Sequence, residues 1–191
     1  MWFNVDGTCW QHAGNLSNPS ARAKICGRAM SSDKIISLEE LPRQARDLRA
    51  TGKKIVATNG CFDLLHVGHV RYLTAARALG DSLIVGVNAD ESVRSLKGPG
   101  RPVNNQTDRA EIVAALECVD LVAIFPEMRA TKFLELAAPD IYVKGGDYKT
   151  ETLNPEEGAV LKRIGAKVEI VPLEQGYSTS DLLARLAKPR K

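Results

Sequence analysis

The chain has no long apolar run, no C-x-x-C pair and no G-x-x-x-x-G-K-[ST] loop. The first absence leaves no helix able to span a bilayer, so no membrane partner is expected. The second matters because the four cysteines, Cys9, Cys26, Cys61 and Cys118, form no dense disulfide framework. Free thiols in a reducing, cytoplasmic compartment are the expectation. The third excludes a P-loop kinase. Charge of one sign is also scarce in excess: 26 Lys and Arg against 23 Asp and Glu give +3. That balance suits small anionic substrates and does not point to nucleic acid. No internal repeat or low-complexity block is present, and 191 residues allow one domain with a real core.

Residues 1–32 carry no sustained helical or strand period and no uninterrupted signal-peptide core. Trp2, Phe3 and Trp10 are unusual in a solvated tail and leave room for a docking arm. The favoured expectation is that Met30 is the true start and that the residues before it are a mis-called extension. The folded domain is expected over residues 33–188.

Histidine is scarce too, with three in the whole chain, and two of them fall in one turn. Residues 54–80 organise everything else. The β-branched run 55–58 reads as a strand that breaks at Asn59-Gly60. His66-Val67-Gly68-His69 follows, and then a helical pattern with Val70, Leu73, Ala76 and Leu79 on one face and Gly80 as its C-cap. A helix start offers unpaired N–H groups and partial positive charge to a phosphate. Histidines three apart share one face of the first turn, so both can address one anion, and Gly68 lets a triphosphate approach the backbone. Zinc ligation and plain packing are the rival readings. H-x-x-H is tight for zinc, and apart from Cys61 no third ligand stands at suitable spacing.

Strands and helices alternate along the rest of the chain. Ser37 and Glu40 form an S-x-x-E box before a helix that starts near Pro42, with Leu41, Ala45 and Leu48 as its apolar face and Gly52 at its end. Residues 82–87 are apolar enough for a strand buried on both faces. A short helix runs to about Leu96, and then comes a Gly/Pro/Asn loop over 97–106. A helix over 107–117 with Ile112, Ala115 and Leu116 on one face, a strand over 121–125 and a helix over 131–138 follow. The strand 141–144 runs into Gly145-Gly146-Asp147. Asn154 and Pro155 open a helix closed by Gly165, 167–171 is the last strand, and Ser178 with Asp181 begins the final helix.

This alternation implies an α/β fold, a single doubly wound parallel sheet. Ligands in such folds bind beyond the carboxyl ends of strands, at the switch point. That rule gathers residues 59–69, Asn88 to Asp90, Lys144 to Asp147 and Tyr177 to Ser180 around one crevice. Lys97 on its loop is a candidate to close over phosphates, although most loop lysines are simply solvated. Arg101 and Arg109 are candidates to grip a phosphate bidentately, and Arg109 equally to pair with Asp108 or Glu111. Asp63 is suited to a sugar hydroxyl or to helping hold Mg²⁺, and Asp147 to a ribose or sugar hydroxyl. Ser178, Thr179 and Ser180 read as a helix cap or, with the helix N–H groups, as a phosphate contact.

T-N-G-C-F-D-L-L-H-V-G-H resembles the H-x-G-H signature of the cytidylyltransferase-like nucleotidyltransferase superfamily. With Arg101-Pro102-Val103-Asn104, Val143-Lys144-Gly145-Gly146-Asp147-Tyr148 and Ser178-Thr179-Ser180, the chain is similar over about residues 34–186 to bacterial D-glycero-β-D-manno-heptose 1-phosphate adenylyltransferases. The resemblance implies a Rossmann-like nucleotidyltransferase sheet that transfers AMP from ATP to a sugar 1-phosphate and makes ADP-heptose, a lipopolysaccharide precursor. It implies His66, His69 and Lys97 as catalytic residues, and Asn59, Gly60, Cys61, Phe62, Gly68, Lys144, Gly145, Tyr177, Ser178, Thr179 and Ser180 around the nucleotide. Asp63, Asn88, Asp90, Arg101, Arg109 and Asp147 are left for the sugar phosphate. Mg²⁺ is expected to ride mainly on ATP phosphates, with no dedicated protein metal site. Many relatives fuse this domain to a sugar kinase, and here the kinase is expected as a separate protein. Assembly as a homo-oligomer stays open. Leu173-Glu174 stand where related cytidylyltransferases carry Arg-Thr, which favours the adenylyl branch and leaves a phosphate-binding arginine without a counterpart. CTP as donor, another phosphate ester as acceptor, and a non-catalytic nucleotide-binding module are the alternatives.

Overall fold

Along the central strand the side chains alternate between two cores. Ile55 and Ala57 pack to one side of the sheet and Val56 to the other, all fully buried. That is the period of two expected of a strand covered on both faces. The computed structural model describes residues 31–146, 153–172 and 176–186, with the side chains of Ser180, Asp181, Ala184 and Leu186 excepted. The expectations for residues 1–30, for Asp147 and Tyr148, and for Leu173-Glu174 lie outside the described residues.

Among the described residues six strands form one sheet: β1 (Ile35–Ile36), β2 (Ile55–Gly60), β3 (Ser82–Asn88), β4 (Leu121–Phe125), β5 (Ile141–Gly145) and β6 (Lys167–Val171). Their order is β1-β4-β3-β2-β5-β6 and every pairing is parallel. Among the described residues there are seven α-helices: α1 (Leu41–Ala50), α2 (Val67–Arg77), α3 (Asp90–Lys97), α4 (Gln106–Ala114), α5 (Thr131–Ala137), α6 (Pro155–Ile164) and α7 (Thr179–Leu186). Tyr72, Leu73 and Ala76 of α2 and Ala110, Val113 and Ala114 of α4 build one core with Val56, Val85 and Val143. Leu41 and Ala45 of α1, Phe133 and Leu134 of α5 and Val160 and Leu161 of α6 build the other with Ile55, Ile84 and Tyr142. The sheet is therefore wound on both faces, the α/β class expected from the alternation.

Several local expectations are corrected. β2 does not break at Asn59-Gly60, because both residues pair with β3, Asn59 opposite Gly86 and Gly60 opposite Val87. The turn comes later, at Phe62, whose φ of 46° is in the left-handed region. In α2 the buried face is Gly68, Tyr72, Leu73 and Ala76, while Val70 is 37% exposed. The cap is Ala78, and Gly80 serves a different need. A Cβ on Gly80 would lie 2.7 Å from Val56 Cγ2 and 2.8 Å from the Lys54 carbonyl. In α4 the inward residues are Arg109, Ala110, Val113 and Ala114, and Ile112 is 42% exposed. The Ser37–Glu40 bonds are reciprocal but sit on the turn before α1, which starts at Leu41 with Pro42 just inside. The edge strand β1 went unread, since two residues show no period.

Candidate active site

Adjacent strands β2 and β5 share a ladder of only two pairs, Val56 with Ile141 and Ala57 with Tyr142. β2 continues beside β3 as far as Gly60, and β5 beside β6 as far as Gly145. Their carboxyl ends are thus unpaired with each other where the chain order reverses, with β3 and β4 on one side and β5 and β6 on the other. A switch point of this kind opens a crevice. Here its volume is about 470 Å³. Asn59 and Gly60 of β2, Cys61, Phe62 and Asp63 of the next loop, and His66, Gly68 and His69 of the α2 entry line one side. Asn88, Lys97 and Arg101 line a second, and Lys144, Gly145, Tyr177, Ser178 and Thr179 a third. Tyr72 lines it too and was missed, because a tyrosine inside a helical pattern reads as core.

The two histidines are coupled. Their rings stack with centroids 3.9 Å apart and planes at 28°. The His66 backbone N–H donates to His69 Nδ1 at 3.4 Å. Nδ1 therefore accepts, so Nε2 of a neutral His69 carries the proton and is a donor. Gly68 has no room for a side chain, since a Cβ would lie 3.0 Å from the His66 ring and from Tyr177 Cβ. The close approach that requires glycine here is by the protein's own rings. Tyr177 is 45% exposed, with its ring 6.4 Å from His66 and the Arg71 guanidinium 5.9 Å above it. Thr179 donates its hydroxyl to the Leu64 carbonyl, tying the start of α7 to the loop before α2. The Ser180 side chain is outside the described set.

Burial holds the His66 imidazole below its ordinary range. Burial first, and then neighbouring His66, press His69 from 6.5 down to about 4. Both rings are neutral donors near pH 7, so the positive charge comes from Lys97, Arg101, Lys144 and the start of α2. This has a consequence for stability. Between about pH 6.5 and 4 the unfolded chain binds a proton that folded His69 refuses. The associated stability is intact above about 6.5 and falls as pH drops toward 4. After allowance for the ring's partial exposure, the loss is on the order of 2 kcal/mol. Urea unfolding across that window should show the decline, and His69→Gln should flatten it. An unchanged slope in the variant would locate the acid sensitivity elsewhere.

Other expected ligand groups are already engaged. Asp63 is 3% exposed, and its carboxylate accepts from Arg101 Nε, from Val103 N–H at 2.6 Å and from Asn104 N–H at 3.3 Å. It ties the 101–104 loop to the loop after β2, while Asp63 itself still lines the crevice. Arg109 is also engaged by protein groups. It is fully buried, and its partner is neither Asp108 nor Glu111. It donates to the carbonyls of Asn104, Cys61 and Asn88 and to Asp90 Oδ1. Neither Arg109 nor Asp90 lines the crevice. Lys144 reaches Asn59 Oδ1 at 3.3 Å and Glu157 Oε2 at 3.5 Å, and Tyr142 donates its hydroxyl to the same Asn59 oxygen. Burial pulls the Lys144 ammonium down, and Glu157 opposes that shift. Burial pushes the Cys61 thiol up, against Lys97 and Arg109, so it is a poor nucleophile. Among the described residues no group of three or more His, Cys, Asp or Glu is placed to hold a metal ion. None of their helices is long and apolar enough to cross a membrane.

A parallel sheet with an H-x-G-H helix start at its switch point, facing three cations, defines the nucleotidyltransferase type of α/β protein. A family profile described as cytidylyltransferase-like matches residues 57–185, and the chain belongs to that family. Among similar curated proteins are the "Bifunctional protein HldE" of Citrifermentans bemidjiense, 48% identical over 84% of this chain, and that of Syntrophotalea carbinolica, 45% identical over 83%. The chain spans about a third of those relatives, 32% of each. Among solved structures, a lipopolysaccharide core biosynthesis protein from Thermoplasma volcanium superposes with a TM-score of 0.55 at 29% identity, covering 66% of this chain and all of the other. A pantoate-β-alanine ligase from Francisella tularensis shares the fold, with a TM-score of 0.52 at 15% identity over 82% of this chain and 77% of that one.

Proposed function

We propose that this chain transfers the adenylyl group of ATP to D-glycero-β-D-manno-heptose 1-phosphate, giving ADP-heptose and pyrophosphate. The observation that carries the reading is the stacked His66–His69 pair on a helix start, in one crevice with Lys97, Arg101 and Lys144. An acceptor phosphate oxygen attacks the α-phosphorus of ATP, a new P–O bond forms, and the bond to the β-phosphate oxygen breaks in line. The charge that builds on the α-phosphate oxygens needs donors already in place. His69 Nε2 is such a donor because Nδ1 is held by the His66 amide. Lys97, at the end of α3, supplies a mobile charge for the leaving pyrophosphate, and Arg101 one for the triphosphate or the sugar phosphate. Cys61, Phe62, Gly60 and Gly145 supply wall and backbone rather than charge.

Mg²⁺ fits this site as a passenger of the substrate. Asp63 and Asp90 are taken up by arginines, so the ion's ligands would be phosphate oxygens and water. When bound, it supplies neutralisation of phosphate charge. The experiment is pyrophosphate release with heptose 1-phosphate and either ATP or CTP. ATP is expected to give at least about a tenfold higher kcat/KM, the scale on which a base-reading site rejects a mispaired base. Equal or better use of CTP overturns the adenylyl assignment, and no pyrophosphate with either nucleotide overturns heptose 1-phosphate as the acceptor.

A further inference from the structure

We propose that the Tyr72 hydroxyl, together with Thr58, sets the distance between the two lips of the crevice and so positions the nucleotide. This rests on the nucleotidyltransferase reading above. The β2–β5 ladder stops at Ala57 and Tyr142. One residue further on, side chains take over the bridging. Thr58 Oγ1 donates to the Val143 carbonyl at 2.9 Å, the Tyr72 hydroxyl lies 3.0 Å from the same oxygen, and the two hydroxyls are 2.7 Å apart. The two hydroxyls carry two protons between them, so two of these three contacts are hydrogen bonds at any moment and the third is held close by the other two.

The three members belong to three elements that build the site, and each stands beside a crevice residue. Thr58 precedes Asn59 on β2, and Val143 precedes Lys144 on β5. Tyr72 lies three residues after His69 on the same face of α2. Fixing the phenol therefore fixes the roll of the helix that aims His69, relative to both lips. Thr58 is 0% and Tyr72 8% exposed, so water does not compete for these bonds. Burial pushes the phenol up to about 12, so it remains a protonated donor throughout the working pH range. Beyond the clamp the Lys144 ammonium and the Tyr142 hydroxyl both reach Asn59 Oδ1 across the two lips.

The test compares Tyr72→Phe, Thr58→Val and Thr58→Ser with the wild-type chain in three measurements: ATP affinity by titration calorimetry, KM and kcat from pyrophosphate release, and Tm. The Phe and Val variants are expected to weaken ATP binding and raise its KM by about tenfold, because small displacements of positioning groups are amplified in rate and affinity. Thr58→Ser, which keeps a hydroxyl, should stay near wild type. The Phe/Val double variant should be little worse than either single, since both bonds share one acceptor. ATP affinity and KM within about twofold of wild type in both single variants, with only Tm lowered, would overturn the proposal and leave the clamp a part of the fold alone. Should Tyr72→Phe not fold, the contrast between Thr58→Val and Thr58→Ser decides on the same criteria. Wild-type protein that neither binds ATP nor releases pyrophosphate would sink the nucleotidyltransferase reading and the positioning role with it. An active wild type with unaffected variants sinks the clamp only.

Discussion

His69→Ala is expected to lower turnover by about two to three orders of magnitude, the cost of one preorganised donor at a developing oxyanion. Stability near pH 7 should change little. The ring carries no charge there, and its contacts are a stack on His66 and a tilted approach to Phe62 at 5.5 Å. His66→Ala should cost at least about as much, because it removes one imidazole and the stack that orients the other. The backbone N–H that holds His69 Nδ1 survives that change, so His69 keeps one of its two orienting contacts in the His66 variant. Single-turnover pyrophosphate release with saturating ATP reads the chemistry directly. A His69→Ala protein within about tenfold of wild type would take the imidazole out of the mechanism, and a variant that fails to fold would turn the pair into a packing feature.

The sheet was legible because its strands obey local rules. The strands at 121–125 and 167–171 appear with the expected bounds, and Asn154, Pro155 and Gly165 frame α6 as their chemistry requires. Asn154 Oδ1 accepts from the N–H groups of Glu156 and Glu157, and Gly165 takes a φ of 73°. Crevice residues were legible for a related reason. A parallel sheet fixes which ends carry loops, so Asn59, Asn88 and Lys144 fall together once the strands are placed. The Ser178 carbonyl starts α7 by accepting from Leu182 N–H, as a residue just before a helix should.

What escaped was decided by contacts between distant residues. Val70 and Ile112 fit a helical apolar stripe, yet the sheet meets α2 and α4 on a neighbouring face, and Tyr72 and Arg109 occupy the inner positions. Helical periodicity narrows the buried face without fixing it to the residue. Asn59-Gly60 carries turn chemistry, but two more ladder pairs with β3 outweigh it. The roles of Asp63 and Arg109 turn on which donors and acceptors lie within reach, across 40 and 48 residues of chain. Spacing marks such residues as charged and near the site, and cannot say whether the charge faces ligand or protein.

Arg109→Met is expected to have the largest effect on stability. The guanidinium is 0% exposed and binds four acceptors: three carbonyls, from the loop after β2, the end of β3 and the loop before α4, and the Asp90 carboxylate on α3. Methionine matches the stem but leaves those acceptors without a donor. Breaking one partner out of a buried charge pair costs about 3–5 kcal/mol. Arg109→Lys keeps the charge on a single point that cannot span the fork, so it should recover only part of the loss. Because Cys61 and Asn88 flank the crevice, the variants should also lose turnover at temperatures where they remain folded. Urea unfolding at pH 7 measures the first effect and pyrophosphate release the second. A loss below about 1 kcal/mol for Arg109→Met would mean that water reaches the stranded groups and the guanidinium's bonds are dispensable. Adding Asp90→Asn separates the remaining causes. Asp90 keeps 25% side-chain exposure and sits in the first turn of α3, where the helix dipole already favours its charge. The second change should therefore return little stability to the Met variant. A large recovery would identify the stranded carboxylate, rather than the three carbonyls, as the main cost.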